Sequence, residues 1–355
     1  MKLFCPKSIF VLRNNDLGDV LVATPLLHGL RRAFPSAKIC MGVGDWAKSL
    51  LGNNPDLDQV LPCNAPWHNK QNCRFPANSV KTFAEGLLYL LLSRESRRIA
   101  SLRFTHGIDV LGSRQGSWLL TRARVRHRFG VKGYAGGDTW CEAFVDFKEN
   151  RNVAKAALAF LPLLGSDVKV KSRPRIHLLK EEVEKSQKEW IKYDNRGKRI
   201  VLAPGGGFPE KLWGDDRYSN LLRNLADNPS YKFCILGSEE DRQRIQMPQN
   251  HNGQRIRNFC GQFSLRESAA MISTADLVIT NTSLCMHLAG AFEIPSFTLL
   301  GEWYESAKLH HQQWGYPEGI VLGKEITEGK NSIASVLEVL KLTKETPWGE
   351  QQTIC

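Results

Sequence analysis

No apolar stretch in this chain approaches the roughly 20 residues that a helix needs to span a bilayer. The longest aliphatic run, residues 86–92, is far too short, so no membrane-spanning helix is expected. An apolar h-region is missing near the start, because Arg13 and Asn14 interrupt the first apolar residues, and no signal peptide is expected. No Cys-x-x-Cys occurs among the nine cysteines, whose number is odd and whose spacing is irregular. Neither a metal site nor a redox pair is therefore expected. A reduced, cytoplasmic setting fits better, with Cys40 and Cys234 as small core fillers. The chain also lacks a Walker loop, since no Gly-Lys-Ser/Thr follows its glycine-rich segment at the required spacing. No short-period repeat is present.

Acidic residues are scarce in the first half. Residues 1–175 hold 27 Lys+Arg against 13 Asp+Glu, whereas residues 176–355 hold 21 against 23. The formal net charge of +12 thus arises entirely in the first half, which points that half at an anionic partner. Nucleic acid, an anionic membrane surface and a phosphorylated substrate all qualify on charge. Nucleic acid has no other support, because the interleaved aromatic and basic platform of single-strand binders is absent. The densest stretch runs from Arg122 to Arg128. Its alternation sets Arg122, Arg124, Arg126 and Arg128 on one face of a strand near 125–129, either as a docking surface or as a solvated edge guarded by charge.

What is present suits two globular domains: 355 residues, 42% apolar and 24% charged. Two glycine-marked loops stand out. The first, residues 14–19, follows the apolar run Ile9–Leu12; the second, residues 204–213, follows the apolar run that ends at Ala203. Each reads as strand, loop, helix. Strands are expected near 8–13, 37–43, 57–61, 107–111, 125–129, 198–203, 231–236, 276–280 and 296–300. Helices are expected near 19–33, 45–52, 80–99, 115–122, 150–164, 180–193, 215–227, 264–273 and 284–292. This alternation predicts two doubly wound, parallel α/β domains facing each other across a cleft. A polar, proline-containing linker at 166–175 sets domains of 1–170 and 171–355. Residues 62–79, with Pro62, Pro66 and Pro76, read as a loop or insertion.

Ligands of such sheets bind beyond the carboxyl ends of the strands, where both loops fall. Gly18 offers a tight turn and room for a ligand. Asp19 beside it reads as a first-turn acid complementing the helix dipole, or as a catalytic base at the end of the first strand. Asp16 is a rival base or a turn residue. In the second loop, the amides of Gly206 and Gly207 can converge on one anion, and Lys211 can neutralise a phosphate as a point charge. At 281–284, Thr282 and Ser283 suit an N-cap, and the helix start would attract a phosphate. His287, one turn in, reads as either structural or catalytic. Glu239, Glu240 and Asp241 crowd another strand end, where a carboxylate could take ribose hydroxyls or simply face solvent.

At these residues the chain resembles a family. Leu12-Arg13-x4-Gly18-Asp19-Val20-Leu21-x2-Thr24-Pro25-Leu26 is similar to the N-terminal signature of glycosyltransferase family 9, the ADP-heptose:lipopolysaccharide heptosyltransferases. The similarity continues through 34–39, 54–60, Pro204-Gly205-Gly206 with Lys211-x-Trp213, Gly237-Ser238, Cys260-Gly261 with Ser264-Leu265, and Met286-His287-Leu288-Ala289. Residues 62–105 and the tail after 303 are poorly covered.

The resemblance implies a GT-B fold of two Rossmann-like domains, the first taking the acceptor and the second the nucleotide-sugar. It implies inverting transfer without a required metal or cofactor. Asp19 falls at the position of the base and Lys211 at that of the lysine on the donor phosphates. Gly18, Gly206, Gly207, Glu240, Thr282, Ser283 and His287 line up as further nucleotide-sugar contacts, with Arg13, Arg122 and Arg124 as cations for an anionic glycolipid acceptor. A cytoplasmic protein, peripheral at the inner face of the cytoplasmic membrane, is expected. One departure bears on activity. Where the family has an acid and, two residues on, a glycine, this chain has Thr282 and Leu284. A catalytically weakened or non-catalytic nucleotide- or glycan-binding member is therefore the alternative.

Overall fold

Ser8–Leu12 (β1) is apolar at every position after its first because both of its faces are covered. Ile9 and Val11 enter a core with Leu26, Leu27, Leu30 and Phe160. Phe10 and Leu12 enter a second core with Trp67, Leu90, Ile99 and Leu119. Burial on both faces is what makes a parallel strand read as a continuous apolar run. The computed structural model describes residues 5–76, 79–191, 197–248, 255–323 and 333–346, and the chain divides into two compact units, Met1–His177 and Leu178–Cys355.

In the first unit β1 is joined by Lys38–Val43 (β2), Gln59–Pro62 (β3), His106–Asp109 (β4), His127–Lys132 (β5) and Ala143–Asp146 (β6). All pairings are parallel, in the order β3-β2-β1-β4-β5-β6. The second unit contains Lys198–Ala203 (β7), Tyr231–Ile235 (β8), Ile256–Asn258 (β9), Leu277–Asn281 (β10), Ser296–Leu299 (β11) and Gly319–Leu322 (β12). Its order, β12-β11-β10-β7-β8-β9, is again all parallel. Counted from the first strand of each unit, both sheets run 3-2-1-4-5-6, the Rossmann winding. The strand order reverses between β1 and β4 in one sheet and between β7 and β10 in the other. Ligand crevices form beyond the carboxyl ends at such reversals.

Several expectations are corrected. The single helix expected at 19–33 is two, Leu17–Val22 and Thr24–Ala33, since Pro25 has no N–H to continue the first. The helix expected at 80–99 breaks at Ser93, whose side chain accepts from the amide of Ser96 and starts Arg94–Ser101. Asp45–Leu51 is a 3-10 helix. The arginine-bearing strand does not form as expected. Arg122 ends the helix Arg114–Arg122, Arg124 holds a left-handed φ of 54°, and β5 starts only at His127. The arginines therefore spread around a helix end, at the edge of the sheet opposite the carboxyl ends of the strands.

Three strands were not expected: β6, β9 and β12. Each lies at a sheet edge, is only three or four residues long, and leaves most of its positions partly or fully exposed. An edge strand lacks the continuous apolar run that reveals a central one. The segment read as a linker lies along the first unit: the Arg175 amide donates to Thr24 Oγ1 at 2.7 Å, and Arg32 donates to the Lys169 carbonyl at 3.4 Å. Of the helix expected at 180–193, Lys180–Ile191 is observed, and 192–193 lie outside the described residues. Residues 77–78 of the 62–79 segment lie outside them as well. No helix among the described residues is long and apolar enough to cross a membrane.

Candidate active site

In the first unit the chain leaves β1 and bends at residues 13–16 before entering the helix Leu17–Val22. Gly18 is thus inside the first helical turn, and the tight-turn role expected of it belongs to the residues before it. Asp19 stands one residue further, with its side chain 29% exposed. Arg13, at the carboxyl end of β1, is buried and reaches it twice. Its Nη2 donates to Asp19 Oδ1 at 2.7 Å and its Nε to the Asp19 carbonyl at 3.3 Å. The guanidinium fork fixes both the position and the direction of the carboxylate. Arg13, expected to meet the acceptor, is engaged with the candidate base.

The 62–76 segment is tied onto this bend. Asn14 Nδ2 donates to the Trp67 carbonyl at 3.1 Å, and Asn15 Nδ2 to the His68 carbonyl at 2.6 Å. Asp16, the rival base, accepts from the amide of Lys70 at 3.1 Å and lies 3.9 Å from its ammonium. Asp16 therefore clamps a loop, whereas Asp19 presents an oriented carboxylate. His68 takes a left-handed φ of 54°, and burial, reinforced by the charge of Arg13, holds its imidazole below its ordinary pKa. The His68 ring thus lies within electrostatic reach of Arg13, the residue that holds Asp19. Beside β1, Asp109 ends β4 fully buried. Its Oδ2 accepts from the amide and hydroxyl of Ser113, and burial pushes its carboxyl up to about 6. No sequence signal marked His68 or Asp109: the first lies in the poorly covered insertion, the second at an unremarkable strand end.

In the second unit Asn281, the last residue of β10, staples both ends of the glycine loop. Its Nδ2 donates to the Pro204 carbonyl, and its Oδ1 accepts from the Trp213 amide at 2.9 Å. Trp213 is fully buried, and its Nε1 donates to the Ala334 carbonyl at 2.8 Å. Gly205 is required by the fold, because a Cβ there would collide with the Asp241 carboxylate. Gly206 and Gly207 stay exposed, with their amides in the loop. The strand-end loop after β11 completes the wall: Gly301 donates to the Lys211 carbonyl at 3.2 Å and Trp303 to the Glu210 carbonyl at 3.2 Å. It sets the Lys211 ammonium 4.1 Å from the Trp303 ring centre, 4.9 Å from Phe208 and 5.8 Å from Tyr304. Rings around an ammonium hold it by cation–π attraction and fix its place.

The three acids separate cleanly. Asp241 is buried and accepts from the Ser238 amide, the Ser238 hydroxyl and Arg244. Glu239 pairs with Arg242 at 2.9 Å. Glu240 remains fully exposed, its carboxyl held below the usual range by the Ser238 hydroxyl. At the next strand end Ser283 caps Leu284–Ala291, accepting from the Cys285 amide at 3.3 Å. Thr282 Oγ1 lies 3.0 Å from His310 Nε2, and burial, with His287, His311 and Lys211 nearby, lowers His310 to about 3. His287 is buried with its Nδ1 2.7 Å from the Tyr316 hydroxyl, a helix-to-loop packing contact. Trp303, Tyr304 and His310 all lie at or beyond the limit of the recognisable motifs, so only their aromatic character could have drawn notice.

Asp19 thus lies in the helix that follows β1 in one unit, and Lys211, Gly206, Gly207, Thr282 and Ser283 gather beyond β7 and β10 in the other. Within the first unit Arg122 and Arg124 stand apart from Asp19, at the helix end that precedes β5. Among the described residues no group of three or more His, Cys, Asp or Glu side chains is placed to hold a metal ion. An oriented carboxylate can take a proton; a glycine loop, a fixed ammonium and a helix start can carry an anion.

Comparison with known proteins shows the family and the fold. Residues 93–314 match the profile of glycosyltransferase family 9 (heptosyltransferase). The chain is 21% identical over 306 residues to lipooligosaccharide heptosyltransferase 2 of Haemophilus ducreyi, covering 81% of each. It is 22% identical over 318 residues to lipopolysaccharide heptosyltransferase 2 of Salmonella typhimurium, covering 83% of this chain and 82% of that one. Among solved structures, a family 9 glycosyl transferase from Veillonella parvula superposes with a TM-score of 0.73 at 19% identity, over 96% of both chains. The E. coli ADP-heptose lps heptosyltransferase II gives 0.71 at 18% identity, over 95% of this chain and 98% of that one. The match over residues 93–314 places this chain in glycosyltransferase family 9, as a transferase, and its two Rossmann-wound units have the GT-B fold of the solved structures.

Proposed function

We propose that this chain moves a heptose from ADP-heptose to a lipopolysaccharide-core or related anionic glycan, with inversion at the anomeric carbon. Asp19 removes the proton of the acceptor hydroxyl as that oxygen attacks the carbon opposite the diphosphate. One carbon–oxygen bond forms, the bond to the diphosphate breaks, and ADP leaves with the bonding pair. Lys211, the amides of Gly206 and Gly207 and the helix start at Ser283 balance the charge that grows on the leaving group, donors worth roughly 3–4 kcal/mol each in such roles. Glu240 takes the ribose hydroxyls. Every step is carried by side chains and backbone amides of the chain. The observation that carries the reading is the Asp19 carboxylate, oriented by Arg13 and partly open to solvent. The names of the relatives support the sugar and the donor, and the basic first half supports an anionic acceptor.

The test is turnover of ADP-heptose on a heptose-deficient core oligosaccharide, with the new linkage assigned by NMR. The expected product carries the anomeric configuration opposite to the donor's; a retained configuration removes Asp19 from the role of base. One observation favours a second reading, a weakened or non-catalytic member: Thr282 stands where the family has an acid, and its hydroxyl is engaged with His310. ADP binding without turnover on any core acceptor selects that reading.

A further inference from the structure

The helix Val80–Leu92 has one face that the fold uses and one that it does not. Thr82, Gly86 and Leu90 form the buried stripe, and a Cβ on Gly86 would meet Gln115 at 3.2 Å and Trp67 at 3.5 Å. The other stripe is aliphatic: Val80, Leu87, Leu88, Leu91 and Leu92 are 84%, 50%, 56%, 53% and 63% exposed. Side chains at this helical spacing make one ridge, about 20 Å long. Folded monomers rarely leave such a ridge in water without a use for it. Aromatic rings extend it sideways, from Phe83 to Trp118 at 6.2 Å and from Trp118 to the exposed Trp140 at 6.2 Å.

The exposed charge beside the ridge has one sign. Lys81 on the helix, Arg94, Arg97 and Arg98 on the helix Arg94–Ser101, and Arg103 just beyond it are all exposed. The two acids of this stretch, Glu85 and Glu95, are only partly exposed, and Glu95 accepts from Asn64 and from the Tyr89 hydroxyl. Leucines that enter an acyl boundary, arginines that meet phosphates and tryptophans that settle at headgroup level are the parts of a peripheral lipid contact.

We propose that the Val80–Leu92 ridge and its arginine collar dock this chain on an anionic lipid bilayer. Charge complementarity selects this occupant over a second copy of the chain, because a symmetric pairing would set the same cations against each other. The docking does not depend on the sugar-transfer reading, and the two can fail separately.

The test is sedimentation of the full chain with phosphatidylcholine vesicles, with and without phosphatidylglycerol. It uses the wild type, Leu87→Ser/Leu91→Ser and Arg94→Gln/Arg98→Gln. Binding is expected to the phosphatidylglycerol vesicles and to weaken with salt. The arginine pair should reduce it about 25-fold, at about fivefold per charge, and the leucine pair tenfold or more. ADP affinity and melting temperature, measured on the same samples, should be unchanged in both variants. Equal binding by the leucine variant, or indifference to anionic lipid, overturns the proposal. So does a wild-type dimer that the leucine variant dissociates, since a second copy then covers the ridge. Loss of transfer on a soluble acceptor with vesicle binding intact counts against the transfer reading alone.

Discussion

Asp19 can serve as a base only while its carboxylate is held in one direction, and Arg13 does the holding through two contacts, one to the side chain and one to the carbonyl. A lysine supplies the charge without the planar fork. Arg13→Lys should therefore lower kcat about 10- to 100-fold, with donor KM nearly unchanged. Equal loss in donor affinity would show that Arg13 acts on the donor instead. Asn281 has the matching task in the second unit. Asn281→Ala removes the donor to Pro204 and the acceptor of the Trp213 amide, leaving buried groups unpaired at about 1–3 kcal/mol each. Urea unfolding should show the second unit losing stability on that scale, and ADP affinity should fall as the loop loosens. Stability unchanged within error would mean that the loop is held by other contacts. These two assignments differ in how far the sequence reveals them. Asp19 and Lys211 stand in motifs, whereas the roles of Arg13 and Asn281 depend on which groups the folded backbone brings within reach.

At the scale of the element, β4 carries two opposing titrations. His106 at its start is buried against His127, and burial followed by that neighbour lowers it to about 4. Its contribution to stability is present above about pH 6.5 and is lost as pH falls toward 4. Asp109 at the other end is raised to about 6, so its contribution is present below about pH 4 and is lost as pH rises through 6. Melting temperatures between pH 4 and 7 should show Asp109→Asn steepening the acid-side loss and His106→Asn reversing its slope. Parallel profiles in all three proteins would contradict both assignments. The central strands β1, β2, β7, β8 and β10 were legible because burial on both faces leaves a run of three or more apolar residues in each. The edge strands β6, β9 and β12 were not, since solvent on one side permits polar residues. The break at Pro25 was visible as a proline and the one at Ser93 as a capping serine, but the apolar periodicity continued across both.

For the whole molecule, the repeated 3-2-1-4-5-6 winding gives each unit its own strand-order reversal, and the candidate residues other than Arg122 and Arg124 fall at or next to those two places. The α/β class and the two-unit division were readable from the alternation of elements. The arginine strand was misread because period-two charge also suits a helix end followed by a turn. Nucleotide binding in the second unit should stabilise that unit by about 2.7 kcal/mol when ADP is present at 100 times its dissociation constant. Hydrogen exchange should show the gain in residues 198–323; protection confined to residues 5–177 would reverse the roles of the units. The most direct measurement is the rate of ADP release from ADP-heptose on a core acceptor by wild type and Asp19→Asn, with ADP affinity measured on the same preparations. The account predicts a rate lower by about 10²–10⁴-fold at unchanged affinity. A variant that turns over at the wild-type rate, or one that loses ADP binding in proportion, would contradict it.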